Sequence, residues 1–408
     1  MNPLAEPAAP TPFPTPWGDL VLTRFPEDPR ERLRAWDAAD EYLLRHLGGE
    51  ADSAGGLATA LAGRAVTVLG DRWGALTTAL ATVPADADRP AEVTQISDSH
   101  LARRATLANL ARAGADPAAA RLLTTRDTPP DRIDVLLVRV PKSLGLLEDQ
   151  LRRLAPALHP DTVVLGTGMV TEIHTSTLKL FERILGPTRT SLAVRKARLI
   201  LCTPDRALDP GPNPWPLRYA LPGDIGAVSG RTVTNHAGTF CADRLDIGTR
   251  FLLAHLPVAA PGARVVDLGC GNGVVGTAAA LATPGIELLF VDESHPAVAS
   301  AEETFRANLG PDARAEFRTA DALDDADVPA GSVDLVLNNP PFHSHQATTD
   351  ATAWRMFTGA KRVLRPGGEL WVVGNRNLDY HVKLRRLFGN CRTVAGNPKF
   401  VVLKAVKR

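Results

Sequence analysis

The sequence predicts an α/β protein built from two tandem, doubly wound domains that arose by internal duplication, the N-terminal copy being degenerate. Three observations carry this expectation. Apolar strands alternate with helical stretches through the second half of the chain. The same order recurs in the first half at an offset of roughly 200 residues. Between the halves lies Asp209-Pro210-Gly211-Pro212-Asn213-Pro214-Trp215-Pro216, too rich in proline for a helix or an internal strand. With 408 residues, 44% hydrophobic and 22% charged, the chain exceeds one ordinary domain and can build two cores.

In chain order, residues 1–16 are rich in Pro and Ala and read as a disordered tail. Residues 17–205 form the first expected domain, 206–224 a Pro/Gly-rich linker and 225–408 the second domain. In the first domain Ala65-Val66-Thr67-Val68-Leu69-Gly70 reads as a strand that turns at Gly74 into a helix. Asp98-Ser99-His100 opens a second helix, and Asp134-Val135-Leu136-Leu137 is a further strand. In the second domain residues 264–268 read as a buried strand, followed by a glycine turn and an Ala-rich helix to about residue 282. Residues 288–291 are a strand, and 296–309 a helix opened by proline. Residues 333–337 are a strand, 349–364 a helix and 370–373 a strand. The echoes are local as well: Asp98-Ser99-His100 parallels Asp292-Glu293-Ser294-His295, and Phe181-Glu182-Arg183-Ile184-Leu185-Gly186 parallels Leu384-Arg385-Arg386-Leu387-Phe388-Gly389.

Composition excludes several classes. No apolar run reaches the ~18 residues of a membrane span, and prolines stand where a secretion signal would carry cations and an apolar core. Cys202, Cys241, Cys270 and Cys391 lie far apart without a Cys-x-x-Cys pair, so neither zinc nor a disulfide framework is expected and a reducing cytoplasm is. The net charge of +1 hides an uneven spread. From Lys361 onward the cations include Arg376, Lys383, Arg385 and Arg386, opposed only by Glu369 and Asp379. A second cluster runs through Lys179, Arg183, Arg189, Arg195, Lys196 and Arg198. Such clusters are either solvated faces or phosphate-tracking surfaces.

Two motifs carry chemistry. Asp267-x-Gly269-x-Gly271-x-Gly273 follows a strand and opens a helix, so a ligand can approach its backbone. The acid at the strand end would repel a pyrophosphate but can pair with the ammonium of a methionine moiety, which favours S-adenosyl-L-methionine over a dinucleotide. Asp292 stands where an acid accepts ribose hydroxyls, and Asp321 where one accepts an adenine amino group. Leu245-Asp246-Ile247-Gly248 precedes the first strand and either lids the cofactor or caps a helix. The second motif is Asn339-Pro340-Pro341-Phe342, at the end of the strand 333–337. An amide or exocyclic amine is a poor nucleophile because its lone pair is delocalised. The Asn339 side-chain oxygen and the Pro340 carbonyl can each accept one N–H and turn that lone pair toward a methyl donor, while Phe342 offers a flat apolar face. A nucleobase must be unpaired or extruded to reach such a loop, and His343 just beyond it is a candidate contact to substrate RNA. In the first copy Val68, Arg72 and Trp73 oppose Asp267, Gly271 and Asn272, and Arg139-Val140-Pro141-Lys142 opposes the Asn-Pro-Pro-Phe loop.

On these residues the chain resembles the bacterial rRNA guanine-N2 methyltransferases of the large subunit (methyltransferase G) and, more distantly, those of the small subunit (methyltransferase C). The likeness extends through Trp36-Asp37-Ala38-Ala39-Asp40-Glu41, Ile173-His174-Thr175-Ser176-Thr177, Leu245-Asp246-Ile247-Gly248, Asn390-Cys391 and Lys399-Phe400-Val401-Val402-Leu403-Lys404. The family pattern Phe-Ser-Arg-x-Gly is replaced here by Phe240-Cys241-Ala242-Asp243-Arg244. The resemblance implies two Rossmann-like class I methyltransferase folds, only the second binding S-adenosyl-L-methionine, and methylation of one guanine of 23S rRNA at N2. It implies rRNA, naked or in a pre-ribosomal particle, as partner, with no DNA or membrane and a monomeric enzyme. The residues leave open a 16S rRNA guanine, a protein-glutamine amide, or a non-catalytic RNA-binding assembly factor.

Overall fold

The computed structural model describes residues 11–28, 31–50, 60–341 and 346–408. It divides into two compact units, Met1–Pro214 and Trp215–Arg408. The first contains α1 (Ala38–Leu47), β1 (Ala65–Leu69), α2 (Ala75–Ala81), β2 (Glu92–Ser97), α3 (His100–Arg112), β3 (Arg121–Thr124), β4 (Ile133–Arg139), α4 (Leu144–Leu154), β5 (Leu158–Met169), α5 (Thr175–Ile184), β6 (Thr188–Thr190) and β7 (Ala197–Cys202). Its sheet has the order β3-β2-β1-β4-β5-β7-β6. Only β7 runs against its neighbours β5 and β6.

The second unit opens with a hairpin of β8 (Leu217–Ala220) and β9 (Thr232–Asn235). It continues through α6 (Ile247–Leu253), β10 (Arg264–Leu268), α7 (Val274–Ala282), β11 (Glu287–Asp292), α8 (His295–Leu309), β12 (Glu316–Thr319), β13 (Val333–Asn338), α9 (Gln346–Val363), β14 (Leu364–Asn375), α10 (Tyr380–Phe388), β15 (Arg392–Gly396) and β16 (Phe400–Val406). Its sheet order, β12-β11-β10-β13-β14-β16-β15, repeats that of the first unit position for position.

The near-continuous apolar strands follow from this layering. Successive side chains of a strand point to opposite faces, and a sheet covered by helices on both faces must be apolar on both. Val265, Leu335 and Leu337 join Val274 and Phe305 in one core, while Val266, Leu268 and Val336 join Phe357 and Leu384 in the other. The first unit does the same, with Val66, Val135 and Leu137 on one side and Leu136 and Val138 on the other. Helix starts repeat too. Ser99 and Ser294 cap α3 and α8, their hydroxyls accepting the N–H of Ala102 and Ala297, and Asp37 and Asp246 cap α1 and α6.

Several expectations need revision. Residues 1–10 lie outside the described residues, but Phe13 does not behave as tail: it is fully buried, pairs with Leu20 and lies against Trp36 in a tilted arrangement, ring centroids 4.9 Å apart. An aromatic ring among prolines can still be anchored by one apolar partner. The range 206–224 contains β8, whose partner β9 lies beyond a glycine-containing turn that hides the pairing from a local reading. The strand expected at 370–373 is twelve residues long, its first half masked by Pro366-Gly367-Gly368. Strand register also corrects one echo. Ile96 pairs beside Leu69 as Val291 pairs beside Leu268, so Ser97, not Asp98, occupies the place of Asp292.

Candidate active site

In the second unit the sheet order reverses between β10 and β13, so the chain leaves these neighbours toward opposite sides and opens a crevice at their carboxyl ends. The glycine turn leaves β10 there. Gly273 has φ +75°, and a Cβ on it would lie 2.7 Å from Cα of Ala301, so both backbone and α7–α8 packing require glycine. Gly271 differs: with φ +53° it has nothing within 4 Å of an added Cβ, leaving open space beside its backbone. Its N–H donates to Oδ2 of Asp292 (2.9 Å), and that of Ser294 to Oδ1 (2.9 Å), fixing the carboxylate at the end of β11. Burial pushes the Asp292 pKa up, and these N–H groups pull it partly back.

Asp267 lies deeper, 3% exposed, its Oδ2 taking the N–H of Gly276 in the first turn of α7 (2.7 Å). Burial raises its pKa to about 7, opposed by the Gly276 N–H and reinforced by Asp292. Asp321, two residues beyond β12, is 5% exposed and accepts a charged hydrogen bond from Arg355 of α9, a partner the sequence reading missed.

The asparagine loop leaves β13 directly beside this turn. Asn338 is fully buried, and its Nδ2 donates to the carbonyl of Leu268 (2.7 Å), tying the ends of β13 and β10 together. Asn339 is oriented from α6. Thr249 gives its hydroxyl proton to Oδ2 of Asp246 (3.2 Å), so its oxygen can only accept, and it accepts Nδ2 of Asn339 (2.9 Å). Asn339 Oδ1 is thereby aimed away, buried and without a partner among the described residues. Asp246 therefore acts on the site through the helix cap and Thr249, and the buried Gly248 lies in the same first turn. Pro340 is buried and Pro341 exposed. Phe342 and His343 lie outside the described residues.

Equivalent positions of the first unit are filled. Val68 stands for Asp267, Ser97 for Asp292, Arg126 for Asp321 and Arg139 for Asn339, as the shared strand registers align them. Arg139 is 1% exposed and bonds Asp37 (2.6 Å) and Glu172 (2.8 Å), with Asp40 at 3.3 Å. Arg72, in the place of Gly271, bonds the same Glu172 (2.6 Å). Burial alone would raise the Glu172 pKa, but Arg139 and Arg72 hold it down at about 2. An ion cluster thus fills the crevice that the second unit keeps open.

The basic C-terminal run divides. Lys361, Arg362 and Lys407 donate to backbone carbonyls, Lys404 pairs with Glu369, Arg365 with Asp334, and Arg376 donates to the carbonyl of Asn397 (2.7 Å). These are packing contacts. Helix α10 buries Tyr380, Leu384 and Phe388 and turns Arg385 and Arg386 outward, Arg386 lying 5.8 Å from the Trp354 ring centroid and Lys383 5.3 Å from that of Tyr380.

A ribosomal RNA large subunit methyltransferase G from Streptomyces avermitilis is 71% identical over 397 residues, covering 97% of this chain and 99% of that protein. The protein of the same description from Ectopseudomonas mendocina is 48% identical over 395 residues, covering 97% and 99%. The chain belongs to the ribosomal RNA large subunit methyltransferase G family. The profile described as RLMG N-terminal domain matches residues 10–206, and that described as methyltransferase small domain matches 230–404. The solved T. thermophilus 16S rRNA N2 methyltransferase (RsmC), in complex with AdoMet and guanosine, superposes with a TM-score of 0.73 at 22% identity, covering 98% of each chain. That likeness fixes the fold, two tandem class I methyltransferase folds. For this methyltransferase G family member the sequence reading missed Thr249, Asn338 and Arg355. Thr249 could have been found from its place three residues after the capping Asp246; Asn338 and Arg355 carry no local signal.

Proposed function

We propose that this protein transfers a methyl group from S-adenosyl-L-methionine to the exocyclic N2 of a guanine in 23S rRNA. Membership of the family makes it an S-adenosylmethionine-dependent rRNA methyltransferase. The single observation that carries the finer reading is the Asn339 amide, which is locked through Thr249 and Asp246 and leaves Oδ1 buried and unpaired among the described residues. A buried acceptor left without a donor costs stability, and an incoming N–H relieves that cost.

The residues fit the cofactor on three counts. The space beside Gly271 admits a ligand against the backbone, Asp292 at the end of β11 is placed to take ribose hydroxyls, and Asp267 and the turn from Gly269 to Gly273 form the floor beneath. When bound, S-adenosyl-L-methionine supplies an electrophilic methyl on a sulfonium. The rest is positioning by the chain. Asn339 Oδ1 and the Pro340 carbonyl accept the two N–H of the target amine and turn its lone pair outward, Pro341 stiffens the loop, and the base-contacting role expected of Phe342 falls on a residue outside the described ones. Asp321 serves the adenine end, and Asp246 and Gly248 support the loop from α6. The outward Arg385 and Arg386, with the half-exposed Lys383 beside them and His343, would track RNA phosphate, whereas Arg376, expected from the sequence to do so, is engaged by the carbonyl of Asn397. The first unit, residues 17–205, would serve as scaffold or RNA-presenting surface, since its own crevice is filled.

Incubating the protein with labelled donor and separately purified 23S and 16S rRNA, then mapping the product by mass spectrometry, tests the proposal. A label at guanine N2 in 23S rRNA is expected. Label only in 16S rRNA, on protein, or nowhere would overturn it.

A further inference from the structure

The carboxylates Asp292, Glu293 and Asp321 gather at the ends of the adjacent strands β11 and β12, where Asp292 pairs in register with Thr319. Arg355 reaches this group from α9. Arg355 Nη2 donates to Asp321 Oδ1, and Glu293 stands close enough to counter the desolvation that lowers the Arg355 pKa. The Arg355 Nε is buried and has no partner among the described residues. The next residue of α9, Met356, reaches the glycine turn, its Cε lying 2.9 Å from where a Cβ on Gly269 would be, and its sulfur contacts Asn338 Nδ2 (3.8 Å). A single turn of α9 therefore touches both the acidic end of the crevice and the base of the asparagine loop.

Building on the cofactor reading above, we infer that Arg355 is a specificity-determining residue for the purine of the nucleoside cofactor. Its Nη2 donates to Oδ1 of the nearly buried Asp321 and so fixes that carboxylate as an acceptor, and its planar face forms one wall of the purine slot. An ionised carboxylate welcomes the amino group of adenine and repels the carbonyl of hypoxanthine. A guanidinium face also attracts an aromatic ring in a way that a lysine ammonium reproduces poorly. Arg355 thus has two separable tasks, charge and stacking.

The test is isothermal calorimetry of the full chain with S-adenosylhomocysteine and with its deaminated analogue S-inosylhomocysteine, in wild type, Arg355→Gln and Arg355→Lys. Wild type is expected to prefer the amino form strongly. Arg355→Gln should weaken S-adenosylhomocysteine binding on the order of tenfold and bring the two affinities together, because Asp321 then loses the charged donor that orients it. Arg355→Lys should keep the preference but lose several-fold in affinity for both analogues. Wild-type affinity and preference in Arg355→Gln would overturn the inference, as would an Arg355→Lys variant that binds like wild type. A wild-type chain that binds neither analogue would sink the cofactor reading itself and this inference with it. Turnover gives a second readout: Arg355→Gln should raise KM for the methyl donor and leave kcat at saturating donor nearly unaltered, whereas general damage to the fold would lower both kcat and the melting temperature.

Discussion

A hydroxyl that has already given away its only proton sets the direction of Asn339. Thr249 donates to Asp246 and can offer Asn339 nothing but a lone pair, so the amide nitrogen must turn inward. Thr249→Val should therefore lower kcat about tenfold with donor affinity nearly constant, since one hydrogen bond of ~1–1.5 kcal/mol is lost. Asn339→Ala should cost on the order of 10²–10³ in kcat, the range for removing one polar group that acts on the reacting atoms. Steady-state kinetics against both substrates separates the two effects, and near-normal turnover of Asn339→Ala would remove the proposed role. Asp267 makes a different prediction. Its pKa is pushed to about 7, so near neutrality it is half protonated, and a cationic ligand favours its ionised form. Donor affinity should rise with pH through that value and binding at pH 7 should release protons, measurable as a dependence of binding heat on buffer ionisation enthalpy. The folded pKa lies above the ordinary carboxyl value, so the ligand-free fold binds the extra proton and loses stability as pH rises through about 7. Asp267→Asn should abolish both trends.

The glycine turn and α10 show how much of a segment's role its neighbours decide. Gly273→Ala must place a Cβ 2.7 Å from Cα of Ala301 at φ +75°, so the helices α7 and α8 would have to part. A loss of about 1–3 kcal/mol is expected, visible as a lowered thermal midpoint. Helix α10 carries its cations on the face opposite Tyr380, Leu384 and Phe388. Reversing Arg385 and Arg386 to Glu should weaken RNA binding and flatten its salt dependence by about 0.7–0.9 for each phosphate no longer neutralised. Unaltered binding across a salt series would return these side chains to the solvated surface. Sequence reading could not make this division: a run of twelve cations looks uniform, yet Arg362, Lys407 and Arg376 spend their donors on carbonyls far away in the chain.

Both sheets follow one winding, β3-β2-β1-β4-β5-β7-β6 and its counterpart, and that much was legible because buried parallel strands write themselves as apolar runs. The positions of Asp267, Asp292 and the Asn339 loop at the strand ends were legible for the same reason. The contacts of Arg355 and Asn338 were not, because their partners lie 34 and 70 residues away, and the helix cap hints at Thr249 but not at Asn339, 90 residues on. The edge strands β12 and β15 are short and half-buried and leave no pattern. The first unit records what happens when a crevice is closed. Removing Arg139 would leave the buried Asp40 without its cation and Asp37 and Glu172 with Arg72 alone, so Arg139→Leu should cost about 3 kcal/mol in chemical denaturation. No single substitution can walk that half back to an open pocket. Taking out the arginine alone is punished by the acids, and taking out any acid alone is punished by the arginine. The members of the ion cluster can therefore be exchanged only in concert, each change in charge calling for another beside it.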